Sequence, residues 1–331
     1  MIDVQLVIKL GIIGYGNQAK RLITIFNEIK NCNIELVYHP TKSLDHSNST
    51  NNFSDLLDCH AVVIATPNNT HFEYIQKLLE NFDGYIFCEK PPLTSKNHIE
   101  ILQKILKEKK EKIFFNFNYR FGEISKIIKN SSLDEIGNII SVNITLNHGL
   151  AFKTNYQNSW RANAENNQHN ILDTLSIHYV DLANFLFGIP KNIRYFPSLM
   201  SNNGSSFDTC KIFINYEDGK TIFISNSYAS PYLNEITIVG TNGLTSIRDD
   251  QITTRSPRDT FNEKGSFVQP PIISEQEYNL EDEYIASLKS SLLFFISKVE
   301  KSKSIDLKYF KSSMETNQII LKLHENPEID Y

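Results

Sequence analysis

The sequence predicts a two-domain α/β protein in which a parallel sheet with crossover helices comes first. An α+β domain built on an open, largely antiparallel sheet follows it. Three observations support this prediction. The chain has 331 residues, about twice the size of a common domain. Short apolar runs alternate with helical patterns over the first part of the chain, which is typical of βαβ units. Beyond them, strand-like segments are joined by Asp-Gly and Asn-Gly turns, which are typical of hairpins.

Five apolar runs predict the strands of the first domain, which we place at residues 1–121. These runs cover residues 7–13, 34–38, 61–65, 85–88 and 113–117. Apolar residues at helical spacing predict crossover helices between them, at residues 18–29, 71–79 and 95–109. The stretch 41–53 is rich in Ser, Thr and Asn and is predicted to be a loop. We therefore expect a parallel sheet covered by helices.

The second predicted domain, residues 122–331, is dominated by hairpins. Asp218-Gly219 and Asn242-Gly243 each separate two β-rich segments. Successive hairpins predict a largely antiparallel sheet. Strands are expected at residues 138–146 and between residues 193 and 256, and helices at residues 123–129, 171–187, 283–298 and 307–324.

Composition and charge argue against several classes of protein. Hydrophobic residues make up 40% of the chain and charged residues 21%, as in folded globular proteins. The net charge of −5 argues against a nucleic-acid partner, which would require a basic face. No apolar run approaches the roughly 18 residues that span a bilayer, and the chain starts without a secretion-signal pattern. We therefore expect a cytoplasmic protein with no membrane partner.

The cysteines give no sign of a metal or redox centre. The four cysteines are Cys32, Cys59, Cys88 and Cys210, and no two of them have C-x-x-C spacing. Paired spacing of that kind marks zinc sites and redox dithiols. No metal site is predicted.

A glycine-rich turn follows the first predicted strand. Gly14-Tyr15-Gly16-Asn17-Gln18-Ala19 has the G-x-G-x-x-A spacing of a dinucleotide-binding Rossmann domain. In that motif the first glycine permits a tight turn, the second lets the backbone approach a pyrophosphate, and the alanine lets the helix pack closely on the strand. The helix N-terminus offers N–H groups and a partial positive charge to the phosphates. We therefore expect NAD(P)(H) as the cofactor, bound by Gly14, Tyr15, Gly16, Asn17 and Gln18.

The end of the second strand bears on which dinucleotide binds. An acidic residue there usually binds the 2′-hydroxyl of the adenosine ribose in NAD-dependent proteins. Here His39 and Lys42 occupy the region, and the first carboxylate after the strand is that of Asp45. His39 and Lys42 are therefore predicted cofactor contacts, and the pattern slightly favours NADP(H) over NAD(H). Simple solvation of Lys42 in the loop is the alternative.

Further motifs make the assignment more specific. Three strings follow the third, fourth and fifth apolar runs: Ala65-Thr66-Pro67-Asn68-Asn69-Thr70-His71, Cys88-Glu89-Lys90-Pro91 and Asn118-Tyr119-Arg120-Phe121. Others lie further along the chain: Trp160-Arg161, His178-Tyr179-Val180-Asp181 and Gly240-Thr241-Asn242-Gly243. In this order and spacing, the set resembles the Gfo/Idh/MocA family, named for glucose-fructose oxidoreductase and inositol dehydrogenase. The resemblance covers nearly the whole chain.

The resemblance implies an NAD(P)-dependent dehydrogenase or reductase. Such an enzyme transfers a hydride between the cofactor and a hydroxyl or keto carbon of a sugar, sugar derivative or polyol. In the family, the lysine of the Glu-Lys-Pro string lies beside the nicotinamide and the substrate hydroxyl; Lys90 matches it, and the Lys90–Pro91 bond is expected to be cis. His178 matches the helix histidine that serves as general acid/base, three residues before Asp181. The second-domain sheet often forms the oligomer contact, so a homodimer or homotetramer is expected.

The resemblance also suggests which residues form the site. Catalysis is assigned to Lys90 and His178, with Thr174 beside them. Besides the residues named above, cofactor contacts are expected from Thr66, Pro67, Asn68, His71, Glu89, Lys90 and Arg120. Contacts with a sugar-like substrate are expected from Lys90, Tyr119, Trp160, Arg161, Asn170 and His178, with Lys153 and Asn155 as weaker candidates. A lysine can stabilise a developing alkoxide, and a histidine suits removal of a hydroxyl proton.

Two departures from the family pattern keep other functions open. Gln168-His169-Asn170 replaces the glycine triplet found in many members, and Thr174 replaces the carboxylate four residues before the histidine. Positions four apart share a helix face, so Thr174 is predicted to lie beside His178 while Asp173 points away. A threonine cannot balance the charge of an imidazolium. The alternatives are a non-catalytic dinucleotide-binding regulator or sensor, and an enzyme that removes and returns a hydride on one retained cofactor.

Overall fold

A computed structural model describes residues 7–130 and 135–331. These residues form two compact units. The first contains the described residues up to Asn118 together with Ser287–Leu321, and the second contains Tyr119–Ala286 and Lys322–Tyr331. The first unit holds a parallel sheet and the second a mixed, mostly antiparallel sheet. The predicted fold class is confirmed.

The first unit begins with a six-stranded sheet among the described residues. Its strands are β1 (Ile8–Ile13), β2 (Cys32–Tyr38), β3 (Ser49–Thr50), β4 (Ala61–Ile64), β5 (Tyr85–Cys88) and β6 (Ile113–Phe115). They are all parallel and have the order β3-β2-β1-β4-β5-β6. Every residue of β4 and β5 is buried, because a parallel sheet is covered on both faces. The strand order reverses between β1 and β4, and ligands of such sheets bind at the carboxyl ends of the strands there.

Crossover helices connect these strands. They are α1 (Asn17–Asn27), α2 (His71–Asn81), α3 (Lys96–Lys104) and α4 (Lys107–Lys110). The helix predicted over residues 95–109 is therefore two helices. Ser95 caps the start of α3 by accepting a hydrogen bond from the His98 amide at 3.3 Å. Beyond its end, the Lys110 ammonium donates to the Gln103 carbonyl at 2.7 Å, which satisfies one of the unpaired carbonyls of a helix terminus.

The second unit contains a nine-stranded sheet among the described residues. Its strands are β7 (Ile139–Asn147), β8 (Asn192–Ser198), β9 (Thr209–Asn215), β10 (Thr221–Ser227), β11 (Leu233–Gly240), β12 (Leu244–Arg248), β13 (Gln251–Arg255), β14 (Ile272–Glu277) and β15 (Glu328–Asp330). Their order is β14-β13-β12-β11-β7-β10-β9-β8-β15. Neighbours are antiparallel except for β7 and β10. The hairpins predicted at Asp218-Gly219 and Asn242-Gly243 are confirmed as β9–β10 and β11–β12.

The two faces of this sheet differ in chemistry. Alternate strand residues such as Ile212, Ile224 and Ile236 are buried, as expected for a sheet with one face in a core. The helices of this unit are α5 (Glu123–Asn130), α6 (Ala164–Asn167) and α7 (Ile177–Phe187). A π-helical turn, Leu172–Ser176, leads into α7. Its Ser176 hydroxyl donates to Asn226 of β10 at 2.7 Å, so the start of α7 is tied to the sheet.

The division between the units differs from the predicted boundary at residue 121. The first crossing lies between Asn118 and Tyr119, and Ser287–Leu321 returns to the first unit. That segment contains most of the two long helices α8 (Leu280–Glu300) and α9 (Leu307–Glu325). The Ser291 hydroxyl donates to the Asn116 side chain at 2.9 Å, just after β6. Periodicity predicts such helices but carries no information on which sheet they pack against.

Among the described residues, none of the helices combines the length and the apolar composition that a bilayer span requires.

Candidate active site

The turn from β1 to α1 has the geometry of a phosphate cradle. Gly14 has φ +101°, and a Cβ there would lie 2.6 Å from the Ala65 carbonyl oxygen, so glycine is required by the fold itself. Gly16 is different, because beyond its own chain neighbours and the adjoining helix backbone no described atom lies within 4 Å of the place its Cβ would occupy. Gly16 is the N-cap of α1, and no side chain caps this helix start. The open space and the helix N-terminus together fit a dinucleotide pyrophosphate.

The loop after β2 is organised by His39. Its Nδ1 accepts hydrogen bonds from the backbone amides of Thr41 at 3.3 Å and Lys42 at 3.0 Å. The Tyr15 hydroxyl donates to the Asp45 carbonyl at 2.9 Å, so the residue inside the cradle is tied to the same loop. Lys42 itself is exposed. Nδ1 of His39 therefore shapes the loop, and the cofactor contact of His39 stays a prediction.

The His71 ring lies between two backbone carbonyls. The side chain is fully buried, and its two ring nitrogens lie 2.9 Å from the Pro91 carbonyl oxygen and 3.0 Å from the Thr66 carbonyl oxygen. Both nitrogens are thus engaged within the protein, and the cofactor contact of His71 stays a prediction. Burial lowers the pKa of His71, while the two carbonyl oxygens oppose that shift. Thr66 keeps its predicted place at the end of β4, where its hydroxyl accepts from Thr70 at 2.8 Å.

The side chains of Glu89 and Gln18 bind each other. The buried Glu89 carboxylate accepts from Gln18 Nε2 at 3.0 Å and from Asn116 Nδ2 at 2.8 Å. Contacts of Gln18 and Glu89 with a cofactor stay a prediction. The network joins the start of α1 to the ends of β5 and β6. It fixes the backbone immediately before Lys90, whose amide also donates to Glu89 at 3.3 Å.

The peptide bond between Lys90 and Pro91 is cis, as the family resemblance implied. The Lys90 side chain is half-buried. It follows β5 at the carboxyl edge of the parallel sheet, on the same edge as the cradle that follows β1. That edge is where open α/β sheets bind their ligands.

In the second unit, His178 lies in the first turn of α7 and is buried. Its ring centroid is 4.9 Å from that of Tyr119 and 6.5 Å from that of Tyr284. Tyr119, a predicted substrate contact, is also buried and packs 5.4 Å from the Tyr179 ring. Aromatic rings therefore fix the plane of the imidazole. Lys90 and His178 belong to different units, and their convergence on one substrate atom stays a prediction.

Thr174 belongs to a neutral polar cluster. Its hydroxyl donates to the Asn170 carbonyl at 2.5 Å and contacts the Tyr228 hydroxyl at 2.7 Å. The prediction that Thr174 lies beside His178 rests on regular α-helical spacing. Leu172–Ser176 is π-helical, with hydrogen bonds between residues five apart instead of four, so positions four apart do not share a face there as they would in an α-helix. Asp173 accepts from His324 Nε2 at 2.8 Å and so has a separate partner.

Tyr228 and Tyr156 were missed by the sequence reasoning. Tyr228 is buried, and burial raises its pKa to about 12, so the hydroxyl stays protonated. Tyr156 is also buried, and burial raises its pKa as well. Neither tyrosine lies in a recognisable motif. Tyr228 follows β10, and only the sheet brings it to Thr174, more than fifty residues away along the chain.

Arg120 forms an internal ion pair with Asp181. Its Nε donates to Asp181 Oδ2 at 2.8 Å, and Nη2 donates to Oδ1. Both side chains are buried. The guanidinium is thus paired with a carboxylate of α7, and the cofactor contact of Arg120 stays a prediction. The pairing also explains the Asp181 position, one turn after His178.

The remaining predicted substrate residues lie in the second unit, with Trp160 and Arg161 in a short 3₁₀ turn. Trp160 is 47% exposed, and the Arg161 guanidinium lies 4.6 Å from the centroid of its ring. Asn170 is fully buried. The weaker candidates Lys153 and Asn155 are exposed. The charge of Arg161 lowers the pKa of Tyr156 and of Tyr228, although burial raises both pKa values by more.

Comparison with known proteins agrees with this geometry. Residues 8–117 match the model of the oxidoreductase family with an NAD-binding Rossmann fold, and residues 126–246 match the GFO/IDH/MocA C-terminal domain. Glucose-6-phosphate 3-dehydrogenase of Bacillus subtilis is 28% identical over 189 residues, which cover 54% of this chain and 53% of that protein. Inositol 2-dehydrogenase of Rhizobium meliloti is 26% identical over 181 residues, which cover 53% and 52%. The chain thus spans about half the length of the curated relatives it matches.

Solved structures share the fold over almost the full length. An oxidoreductase from Agrobacterium radiobacter, in complex with NAD+, L-tartaric acid and magnesium, superposes with a TM-score of 0.77 at 15% identity. The match covers 98% of each chain. Myo-inositol 2-dehydrogenase from Lactobacillus plantarum superposes with a TM-score of 0.73 at 18% identity, over 98% of this chain and 99% of that one. Together with the two matched domain models, the motifs and the fold show that the chain belongs to the Gfo/Idh/MocA family of oxidoreductases.

Proposed function

We propose that the protein is an NAD(P)-dependent dehydrogenase or reductase acting on a CH–OH group of a sugar, sugar derivative or polyol. The observation that carries the proposal is the cradle at Gly16. Neither backbone conformation nor packing requires glycine there, whereas a bound pyrophosphate does. The curated relatives named above are dehydrogenases of a sugar phosphate and of inositol.

The chemistry assigns separate tasks to the cofactor and to the protein. A bound nicotinamide supplies the hydride acceptor in the oxidative direction. The substrate carbon loses a hydride and its hydroxyl loses a proton, so the protein must take up that proton and stabilise the oxygen as charge develops. We assign the charge stabilisation to the Lys90 ammonium and the proton to the His178 imidazole. Thr174 supplies a neutral hydroxyl near the reacting group, held by Tyr228.

For the cofactor, we propose a slight preference for NADP(H). Glu35, the acidic residue inside β2, pairs with Lys9 at 3.6 Å. The exposed Lys42 lies in the loop that His39 shapes, and a 2′-phosphate would gain an ion pair with it. For the substrate, Arg161 favours a sugar that carries a phosphate or carboxylate, because a guanidinium binds such groups in a two-point contact.

We further propose a cytoplasmic homodimer or homotetramer that associates through the nine-stranded sheet. Phe196, Phe213 and Phe223 form a row on the face opposite the buried isoleucines, with centroid spacings of 5.9 Å and 4.8 Å. Phe196 and Phe213 are 54% and 43% exposed. Contiguous exposed aromatic side chains are typical of an association surface.

A sensor that binds a dinucleotide without turnover is the second candidate. The neutral Thr174–Tyr228 pair favours it, because this pair cannot balance a proton gained by His178 as a carboxylate would. A steady-state assay of the purified chain with NAD(H) and NADP(H) and a panel of sugars, sugar phosphates and polyols separates the two. We expect turnover that falls about 10²–10⁴-fold in His178→Asn and in Lys90→Met, with dinucleotide affinity nearly unchanged. Tight dinucleotide binding without turnover on any member of the panel would support the sensor instead.

A further inference from the structure

The ring of His71 has an unusual pair of partners. In the first unit, Nδ1 lies 2.9 Å from the Pro91 carbonyl oxygen and Nε2 lies 3.0 Å from the Thr66 carbonyl oxygen. A carbonyl oxygen only accepts hydrogen bonds, and a neutral imidazole carries one N–H. A neutral ring can therefore satisfy one carbonyl and turns a lone pair toward the other. Only the imidazolium donates to both.

The carboxylates nearest in sequence to His71 and to its partner Pro91 have their own partners. On α2, the Glu73 carboxylate pairs with Lys77 at 2.8 Å. On the loop that carries Pro91, the Glu89 carboxylate accepts from Gln18 and Asn116. Burial lowers the pKa of His71, and the contributions that oppose it come from the carbonyls of Pro91 and Thr66. The protonation state of the ring is thus linked to the two backbone contacts.

The two carbonyls flank the residues that the proposed function uses. Thr66 ends the segment after β4, and Pro91 directly follows Lys90. The Lys90 amide is anchored on the other side by the Glu89 carboxylate at 3.3 Å. The backbone at Lys90 is therefore held from both directions, and one of these attachments depends on a proton.

We propose that His71 is a positioning residue for Lys90, and that its imidazolium form, by donating to Thr66 and Pro91 together, holds the Lys90 loop against the end of β4. The inference rests on the proposed function for its catalytic consequence, but the contact itself does not depend on turnover. With the proton present, both carbonyls are bound. When pH rises and the proton is lost, one carbonyl is released and the loop gains freedom.

The contact is tested on the full chain without cofactor or substrate. Ring ¹⁵N spectra are recorded between about pH 5 and pH 8, and His71→Gln assigns the His71 signals among nine histidines. We expect both ring nitrogens to carry protons at the acidic end. As pH rises, one ring proton should be lost. The backbone amide signals of Asn68 and Lys90 should shift with the same pH midpoint. A His71 ring with a single proton across the whole range overturns the proposal, whatever the enzyme assay gives.

The catalytic consequence is tested by measuring kcat and KM separately in variants of His71. His71→Leu removes both donors, and we expect kcat to fall about tenfold because Lys90 is then less well positioned. KM and the dinucleotide Kd should stay within about twofold of the wild-type values. His71→Gln keeps amide donors that do not titrate, so it should recover part of kcat and lose the pH dependence of the wild type.

His98→Gln is the matched control, because His98 lies on the adjacent α3 with its ring stacked 3.9 Å from that of Phe72. It should leave kcat and its pH profile unchanged. An unaltered profile in folded His71→Leu, or an equal loss in His98→Gln, overturns the positioning role. If the wild type turns over no substrate, the proposed function fails, and the ring spectra still decide whether the contact exists.

Discussion

Arg120 and Asp181 form a two-point ion pair that is buried inside the second unit, with Nε 2.8 Å from Oδ2. The guanidinium also lies 4.7 Å from the Phe185 ring centroid. The pair connects the segment after Asn118 to the middle of α7, the helix that begins with His178 in its first turn. A residue that the motif suggested for ligand binding thus stabilises the helix that carries the proposed base.

Breaking this pair should be costly. Asp181→Asn leaves a buried guanidinium without its carboxylate, and removal of one partner of a buried pair costs about 3 to 5 kcal/mol. Denaturant titration followed by circular dichroism measures the free energy of unfolding. Lys126→Ala, which removes an exposed pair with Glu123, is the control and should change it by less than about 1 kcal/mol. Equal effects from the two substitutions would contradict the structural role of Arg120.

The two glycines of the cradle should respond in opposite ways to a larger side chain. Gly16→Val should abolish dinucleotide binding with little change in thermal stability, because its Cβ meets open space. Gly14→Val should destabilise the protein, because φ is +101° and the Ala65 carbonyl is in the way. Calorimetric titration with NAD(H) and NADP(H) and a thermal melt measure both effects. Unchanged dinucleotide affinity in Gly16→Val would refute the cradle.

Lys42 tests the cofactor preference. Lys42→Glu should weaken NADP(H) binding more than NAD(H) binding, because a carboxylate repels the 2′-phosphate. The ratio of the two dissociation constants at fixed ionic strength is the measurement. Lys30→Glu, an exposed lysine after α1, makes the same change in net charge and should leave the ratio unchanged. A strong NAD(H) preference in the wild type would show that another group binds the ribose.

His169 should make stability sensitive to acid. Its ring stacks on that of His324 at 4.6 Å. Burial, aided by His324, lowers its pKa to about 4 from an ordinary value of 6.5, while Asp173 opposes the shift. A histidine with a depressed pKa in the folded state favours the neutral form, so the free energy of unfolding should fall as pH drops from about 6.5 toward about 4.

His169→Gln should flatten this part of the pH profile, as measured by urea titrations at several pH values. His46→Gln, in the loop after β2, is the control and should leave the slope as in the wild type. An unchanged slope in His169→Gln would contradict the assignment.

Phe213 tests the association surface. Phe213→Lys places a charge in the middle of the aromatic row with Phe196 and Phe223 and should shift the protein to a smaller species. Sedimentation velocity measures the mass. Ile189→Lys replaces another exposed apolar residue, 53% accessible, in the loop after α7, and should leave the mass unchanged. A wild-type monomer at micromolar concentration would contradict the proposed oligomer.

The sequence by itself determined the features that depend on local order along the chain. Alternating apolar runs and helical periods predicted a parallel sheet, because each βαβ unit is formed by one continuous stretch of the chain. Asp218-Gly219 and Asn242-Gly243 predicted two hairpins that the sheet register confirms, because such turns depend on the residues within them. Gly14 and Gly16 predicted the cradle for the same reason.

Only the tertiary structure decided what each side chain contacts. Gln18 and Glu89 lie far apart in sequence, and the parallel sheet brings their side chains to 3.0 Å. Tyr228 reaches Thr174 only because β10 lies under the π-helical turn. Ser287–Leu321 belongs to the first unit. Hydrophobic periodicity predicts the helices in this segment but not the unit that they pack in. A motif predicts where a residue stands along the chain, but its hydrogen-bond partner depends on long-range packing, as the contacts of Arg120 with Asp181 and of His71 with Pro91 show.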